Sequence, residues 1–290
     1  MKSLTAEQPE AAAVPELIAA TEQAMPHQAN ALARARAFAE PFIAGETLDT
    51  GENTLRHADA VATILKSMGG SEAMQAASYL VYACPHLNKP QEVIAKAFGE
   101  NYAALALETN KLVRIQEQTR DAEGAGQLVD DAKAQTEKVR KMLLAFSRDL
   151  RVVMLRLASR LQTLRWHASR KTVAPPSVAR EALNVFAPLA NRLGIWQLKW
   201  EMEDLAFRFL EPDTYKKVAG LLDEKRAERE EYVEQLRSRL QEELKAQGVQ
   251  ASVFGRPKHI YSIVRKMRGK SLDFDQVFDI RALRVIVPEV

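Results

Sequence analysis

Apolar residues recur at three- and four-residue spacing as far as Gln247, and from Val249 onward they alternate. That change of period constrains the chain more than any other feature. It predicts helices packed on helices, followed by a short α/β segment. Val61, Ile64, Leu65 and Met68 share one helical face, which Gly69-Gly70 ends. Residues 76–84 are apolar almost all round, so a buried central helix ending at Pro85 is expected. Val153, Leu157, Leu161 and Leu164 keep register through a helix over 150–166, and 173–176 break it. Another stripe runs through Ala182, Val185, Phe186, Leu189, Ala190 and Leu193, with Pro188 as the expected kink. Further helices are predicted over 196–210 and from Asp213, and then over 222–247, where a thin stripe at Val233, Leu236, Leu240 and Leu244 crosses a charged surface. Gly248 suits the C-terminal cap of that helix. A first helix is expected from Gln28 to Glu40, ahead of Pro41, and a loop over 121–131, with helix resuming at Gln135.

Past Gly248, residues 249–254 read as a strand, 257–267 as a helix with proline in its first turn, and 282–287 as a second strand. Two strands and one helix cannot bury a sheet. Residues 249–290 are therefore expected to open an α/β domain whose remainder lies outside this chain. The expected division is a loose tail over 1–26, a helical domain over 27–180, connecting helices over 181–248 and the truncated domain over 249–290.

Composition narrows the setting. Apolar residues make up 47% of the 290 and charged residues 27%, a globular balance. No apolar run is long enough for a membrane helix, and 1–15 lack the pattern of a secretion signal, so a cytoplasmic protein without membrane partners is expected. The lone Cys84 allows neither an intrachain disulfide nor a thiolate zinc cluster. A net charge of +3 argues against a nucleic-acid coat but leaves room for a local basic pocket.

Such a pocket is suggested by Gly255-Arg256-Pro257-Lys258-His259-Ile260-Tyr261-Ser262-Ile263-Val264-Arg265-Lys266-Met267. Arg256 and Lys258 flank the expected helix start, and Ser262 and Lys266 share a helical face with Lys258. Cations converging on a helix N-terminus suit a polyphosphate, although on spacing alone a solvated basic helix is the stronger reading. The string lacks the Gly-Lys-Ser/Thr ending of a P-loop. Asp279, at the start of the next strand, is placed to hold Mg²⁺ beside phosphates, or to serve as a turn residue.

GRPKHIYSIVRKM, followed by FDIRALRVIV, closely resembles the start of the synthetase domain of the RelA/SpoT family of (p)ppGpp enzymes. FAPLANRLGIWQLKWEMEDLAFRFLEPDTYKKV resembles the segment joining that family's two catalytic domains. The resemblance extends over 37–290. It implies a nucleotidyltransferase-like α/β domain, here only its first β-α-β part, that moves pyrophosphate from ATP to the 3′-oxygen of GTP or GDP. It also implies a ribosome partner. On it, Arg256 would face the ATP base and phosphates, Lys258 and Lys266 the phosphates, Ser262 would support them, Asp279 would bind Mg²⁺, and Arg284 would line the same site.

The preceding helices resemble the family's all-α His-Asp hydrolase domain, whose active forms use Mn²⁺. His57 matches the first metal ligand. The family's His-Asp pair falls on Val81-Tyr82, the acidic pair after it on Pro85-His86, the last ligand aspartate on Ser159, and the histidine-asparagine beyond it on Gln162-Thr163. Basic residues before the family's Gly-Glu become Asp49-Thr50 before Gly51-Glu52. Valine cannot coordinate, and a phenol with an ordinary pKa of about 10 is a poor ligand. The resemblance thus implies a silent, pseudo-hydrolase domain without Mn²⁺ and a synthesis-only branch.

Other residues read as structural. Cys84 with His86 lacks a third ligand. His167 beside Trp166, and Trp196 with Trp200, suit packing. His259 suits a cap or a phosphate contact, and the charged run 223–231 suits a solvated face.

Overall fold

The computed structural model describes residues 30–124, 149–224, 226–277 and 281–287. They form two compact units that divide at Ala206/Phe207, within a helix. Residues 1–26, with the rest of the segment before Asn30, and the expected helix from Gln135 lie outside the described residues.

The first unit opens with α1 (Ala31–Ile43), α2 (Thr54–Ser67) and α3 (Glu72–Ala83). The starts of α2 and α3 both have a side-chain cap. Asn53 accepts from the backbone N–H of Arg56 ahead of α2, and Ser71 from that of Met74 ahead of α3. Gly69, at φ 76°, and Gly70 separate the two. Helix α1 runs on through Pro41 instead of stopping before it. The proline lies on the exposed side, while Ala39 and Ile43 are buried with Leu55, Ala58 and Tyr79, so tertiary burial outweighs the lost backbone bond.

A 3₁₀ turn (Cys84–His86) leads to α4 (Pro90–Phe98) and α5 (Glu100–Gly124), so helix continues into the segment 121–124 expected to be loop. Asp149 then caps α6 (Leu150–Arg170) by accepting from the Arg151 N–H. Helix α3 is central. It packs against α1, α2, α5 and α6, and Ala76, Leu80, Val81 and Cys84 join Ile94, Phe98, Ala103 and Ala106 in one apolar cluster. Helix α6 is buried on all sides from Arg151 to Leu161.

Past it lie α7 (Pro176–Glu181), a π-helical turn (Ala182–Phe186), α8 (Ala187–Arg192) and α9 (Trp196–Leu210). The irregularity expected at Pro188 falls one turn earlier, where the Ala187 N–H reaches back five residues to the Ala182 carbonyl. Proline cannot donate and crowds the carbonyl four residues before it, and the wider turn relieves both.

The second unit contains α10 (Pro212–Glu224), α11 (Arg226–Ala246), β1 (Ser252–Pro257), α12 (Ile260–Lys270) and β2 (Arg281–Ile286). Its core gathers Phe207, Val218, Ile263, Val264, Phe274 and Val277. The strands pair antiparallel, from Ser252 opposite Ile286 to Pro257 opposite Arg281. Strand β1 starts three residues later than the alternation suggests. Gly248, at φ 77°, and Val249 are used to close α11, their N–H groups bonding the carbonyls of Lys245 and Leu244. Pro257 ends the strand rather than opening the helix, and α12 begins at Ile260 with His259 in the cap position. The architecture is mainly α, with the two-stranded sheet confined to the end.

Candidate functional site

Four positions singled out in the sequence, His57, Val81, Tyr82 and Ser159, come from three helices. Three of them meet. His57 in α2 is fully buried; its Nδ1 lies 2.7 Å from Glu52 Oε2 and its Nε2 lies 3.1 Å from Ser159 Oγ in α6. The Tyr82 hydroxyl in α3 is 3.3 Å from Ser159 Oγ, and its ring stands edge-on to the His57 ring at 5.7 Å. The far oxygen of Glu52, itself 3% exposed, accepts from Gln162 Nε2 at 2.5 Å.

One proton arrangement satisfies every member. Tyr82 O–H donates to Ser159 Oγ, Ser159 O–H to His57 Nε2, His57 Nδ1–H to Glu52, and Gln162 to the remaining Glu52 oxygen. Burial pushes the Tyr82 phenol up, against Arg156 and the Ser159 hydrogen bond, so the phenol remains a donor. Val81 does not join. It is buried in the apolar cluster of α3, and its backbone carbonyl accepts from Asn110 Nδ2 at 2.9 Å.

Serine, histidine and glutamate here follow the order of a nucleophile, a base and an acid. The surroundings do not support acyl transfer. Ser159 is buried in mid-helix, where helical bonding leaves no backbone N–H free to form an oxyanion hole. Nor does the donor set fit Mn²⁺. The one imidazole is held at both nitrogens, and the next two positions offer a methyl-bearing side chain and a neutral phenol. Among the described residues, no three His, Cys, Asp or Glu side chains group to hold a metal ion.

The same region contains polar residues that spacing did not reveal. Arg156 and Arg160 are buried on α6 among its leucines; Arg156 donates to Gln116, and Arg160 pairs with Glu181 and lies 5.0 Å from the Phe186 ring centroid. Gln116 also donates to Glu181 at 3.2 Å. Glu52 was visible only as half of Gly51-Glu52; an acid five residues before His57, directly after a glycine, was the available signal. Gly51, at φ 82°, lies against Trp166.

Cys84 is buried with its thiol pushed up to about 11 by burial, while His86 faces Glu46 at 3.1 Å. Trp196 and Trp200 stack obliquely at 6.2 Å, and His167 meets Thr172 Oγ1 at 3.1 Å.

In the second unit, Ser262 and Lys266 share one half-buried face of α12, beside the buried Ile263 and Val264. Lys258 does not share that face. It sits in the two-residue connection before the helix, because the helix starts later than expected. His259 occupies the cap position without a side-chain capping bond. The strand register sets Arg256 opposite Ala282 and Arg284 opposite Phe254, two steps apart on the ladder; the side chains of both arginines, and the whole of Asp279, lie outside the described residues.

Comparison with known proteins places these two regions. Residues 35–196 match the HD domain family, so the buried cluster lies inside an HD-type helical body. Residues 255–290 match the region found in RelA/SpoT proteins. The chain belongs to the RelA/SpoT family. It is 38% identical over 257 residues to a probable guanosine-3′,5′-bis(diphosphate) 3′-pyrophosphohydrolase of Synechocystis, covering 88% of this chain and 32% of that protein. It is 51% identical over 152 residues to the GTP pyrophosphokinase of Escherichia coli K12, covering 52% of this chain and 20% of the relative. Against the GTP pyrophosphokinase of Streptomyces coelicolor it is 34% identical over 257 residues, 89% of this chain and 29% of that one. The chain thus spans between a fifth and a third of these relatives. Among the described residues no helix is long and apolar enough to cross a membrane.

Proposed function

We propose that this chain forms part of a GTP pyrophosphokinase, an enzyme that moves the β,γ-pyrophosphate of ATP to the 3′-hydroxyl of GTP or GDP, and that its HD unit is catalytically silent. The observation that carries the reading is the buried Glu52–His57–Ser159 chain, closed by the half-buried Tyr82, in place of a metal-binding donor set. One relative is named a hydrolase and others pyrophosphokinases, and the donor set favours the second.

On the synthetase side, Lys258, Lys266 and Arg256 hold the ATP phosphates, Ser262 supports them, and Arg284 lines the same pocket. These cations stabilise charge that shifts between oxygens during in-line transfer. Mg²⁺, held through Asp279, would neutralise phosphate charge. The cytoplasm, the stringent response and a ribosome partner belong to the same reading. A second reading makes the HD unit a regulatory module that restrains the synthetase through its packing surface. A domain that keeps its buried polar contacts without metal ligands favours that role as an addition to the first.

Chromatography of guanine nucleotides decides the matter. Full-length protein with ATP, GTP and Mg²⁺ should yield (p)ppGpp, and Asp279→Ala should yield none while remaining folded. Lys258→Ala and Lys266→Ala should each weaken ATP use by about 1–3 kcal/mol. Supplied with ppGpp and Mn²⁺, the protein should release no pyrophosphate. Release would restore the hydrolase, and absent synthesis even with ribosomes would leave only the regulatory reading.

A further inference from the structure

The last turns of α11 face the start of β1, and one side chain bridges them. Gln241 Nε2 donates to the Ala251 carbonyl at 2.7 Å, and Gln241 Oε1 accepts from the Val253 N–H at 3.2 Å. One donated and one accepted bond, to residues two apart, is the pattern a neighbouring strand would make. The other edge of β1 is taken by β2, with Val253 opposite Val285. The beginning of β1 is therefore held between a real strand and an amide that imitates one.

This bond pair has little to replace it. None of the α11 side chains described over 231–246 is fully buried, and Tyr232 and Leu236 are exposed. The helix side of the contact thus supplies no fully buried apolar side chain, so the paired bonds carry its alignment. Val253 is 3% exposed, so an N–H stripped of its partner there lies away from water. A rotation or slide of α11 by one residue breaks both bonds, because the amide must meet Ala251 and Val253 together.

Arg256 lies three residues beyond Val253 on the same strand, and Lys258 directly follows the strand. We infer that Gln241 is a positioning residue for the ATP-phosphate side chains: it fixes the leading end of β1 and so ties the placement of Arg256 and Lys258 to the position of the connecting helix. The inference rests on the pyrophosphokinase reading above for its ligand, though not for the tie itself.

Two arms test it. In the 290-residue chain, hydrogen exchange of the segment containing Val253 should accelerate at least tenfold in Gln241→Ala. Gln241→Glu, which keeps the acceptor but sets a carboxylate against the Ala251 carbonyl, should give an intermediate rate. In full-length protein, Gln241→Ala should raise KM for ATP at least fivefold while KM for GTP and the helical circular dichroism hold. A merely structural role would move both KM values together. Lys258→Ala is run alongside. If it raises the ATP KM and Gln241→Ala does not, or if exchange at Val253 is unchanged, the positioning role is overturned. If exchange accelerates as expected but neither variant alters ATP use, the tie stands and the phosphate-site reading fails, and with it the assignment of ligand.

Discussion

Replacing His57 with alanine tests the central claim about the HD unit, that its former metal centre is now a structural hydrogen-bond chain. The substitution removes the 2.7 Å bond to Glu52 and leaves that carboxylate buried with the Gln162 amide as its remaining side-chain donor in the chain. It also removes the 3.1 Å partner of Ser159 and the ring beneath Tyr82. Taking the donor from a buried charged carboxylate costs about 3 kcal/mol, and the cavity left by the ring brings the total to about 3–5 kcal/mol. The unit holds all three tryptophans, Trp166, Trp196 and Trp200, so their fluorescence follows its unfolding separately from the second unit. With a urea dependence of about 2–3 kcal/mol per molar, the midpoint should fall by about 1–2 M. In a Glu52→Gln background the same change should cost about 2 kcal/mol less, because no charge is stranded. A midpoint shift below about 0.3 M would refute the structural role. So would stabilisation of the unmutated chain by millimolar Mn²⁺, since a ligand at a hundredfold its Kd adds about 2.7 kcal/mol.

Three further expectations follow, the first two read by the same tryptophan fluorescence and the third, in the second unit, by far-ultraviolet circular dichroism and its salt dependence. Gly51→Ala should destabilise by about 1–2 kcal/mol, because φ is 82° there, a left-handed conformation that strains a residue carrying a Cβ, while the Trp166 ring at 3.6 Å is in ordinary contact; an unchanged midpoint would mean the loop relaxes freely. Burial holds His167 below its ordinary value of 6.5, with Asp49 and Glu52 opposing. The unfolded chain then binds the proton more readily, so this residue's contribution is complete above 6.5 and lost as pH falls below it; His167→Gln should flatten that part of the profile, and an identical profile would reject the argument. Arg268 pairs with Glu211 through both carboxylate oxygens on an exposed surface; Arg268→Ala should cost less than about 1 kcal/mol, and the cost should shrink further in high salt.

Periodicity located most of the helices because their burial repeats with their pitch. Helix α3 was legible as central, since apolar residues surround it, and α9 spans the predicted 196–210. Pitch could not reveal what Pro41 would do, because the decision rests with Ile43 and Ala39 packing on α2 and α3. It could not reveal the buried Arg156 and Arg160 either. On a wheel they resemble the polar side of an amphipathic helix, yet Gln116 and Glu181 from two other helices close over them. The start of β1 moved because Val249 caps a helix, a competition between two local structures for one residue. Family resemblance identified His57, Val81, Tyr82 and Ser159 as degenerate positions, but nothing along the chain shows that a residue 102 positions from His57 completes its hydrogen bonding. Gln241, a polar residue on a charged helix, carried no signal at all.

The proposed silence of the HD unit implies that its three departures from the metal-binding pattern depend on one another, and reversing one alone should expose this. Ser159→Asp brings a second carboxylate to the buried side of His57, whose other nitrogen already faces Glu52. Without a cation, two carboxylates then share one imidazole in a site closed to water, and the pair must take up a proton or strain apart. Mn²⁺ would relieve the repulsion only if it found further ligands. In their place stand Val81, which offers a hydrocarbon, and Tyr82, whose phenol burial holds in the neutral form. The single variant should therefore unfold at lower urea than the parent and remain unresponsive to Mn²⁺. Combined with Val81→His and Tyr82→Asp, the same substitution should gain a Mn²⁺-dependent rise in its midpoint. Rescue of the single variant by Mn²⁺ would mean that one carboxylate is enough to rebuild the centre, and that the valine and tyrosine followed the loss of metal instead of sealing it.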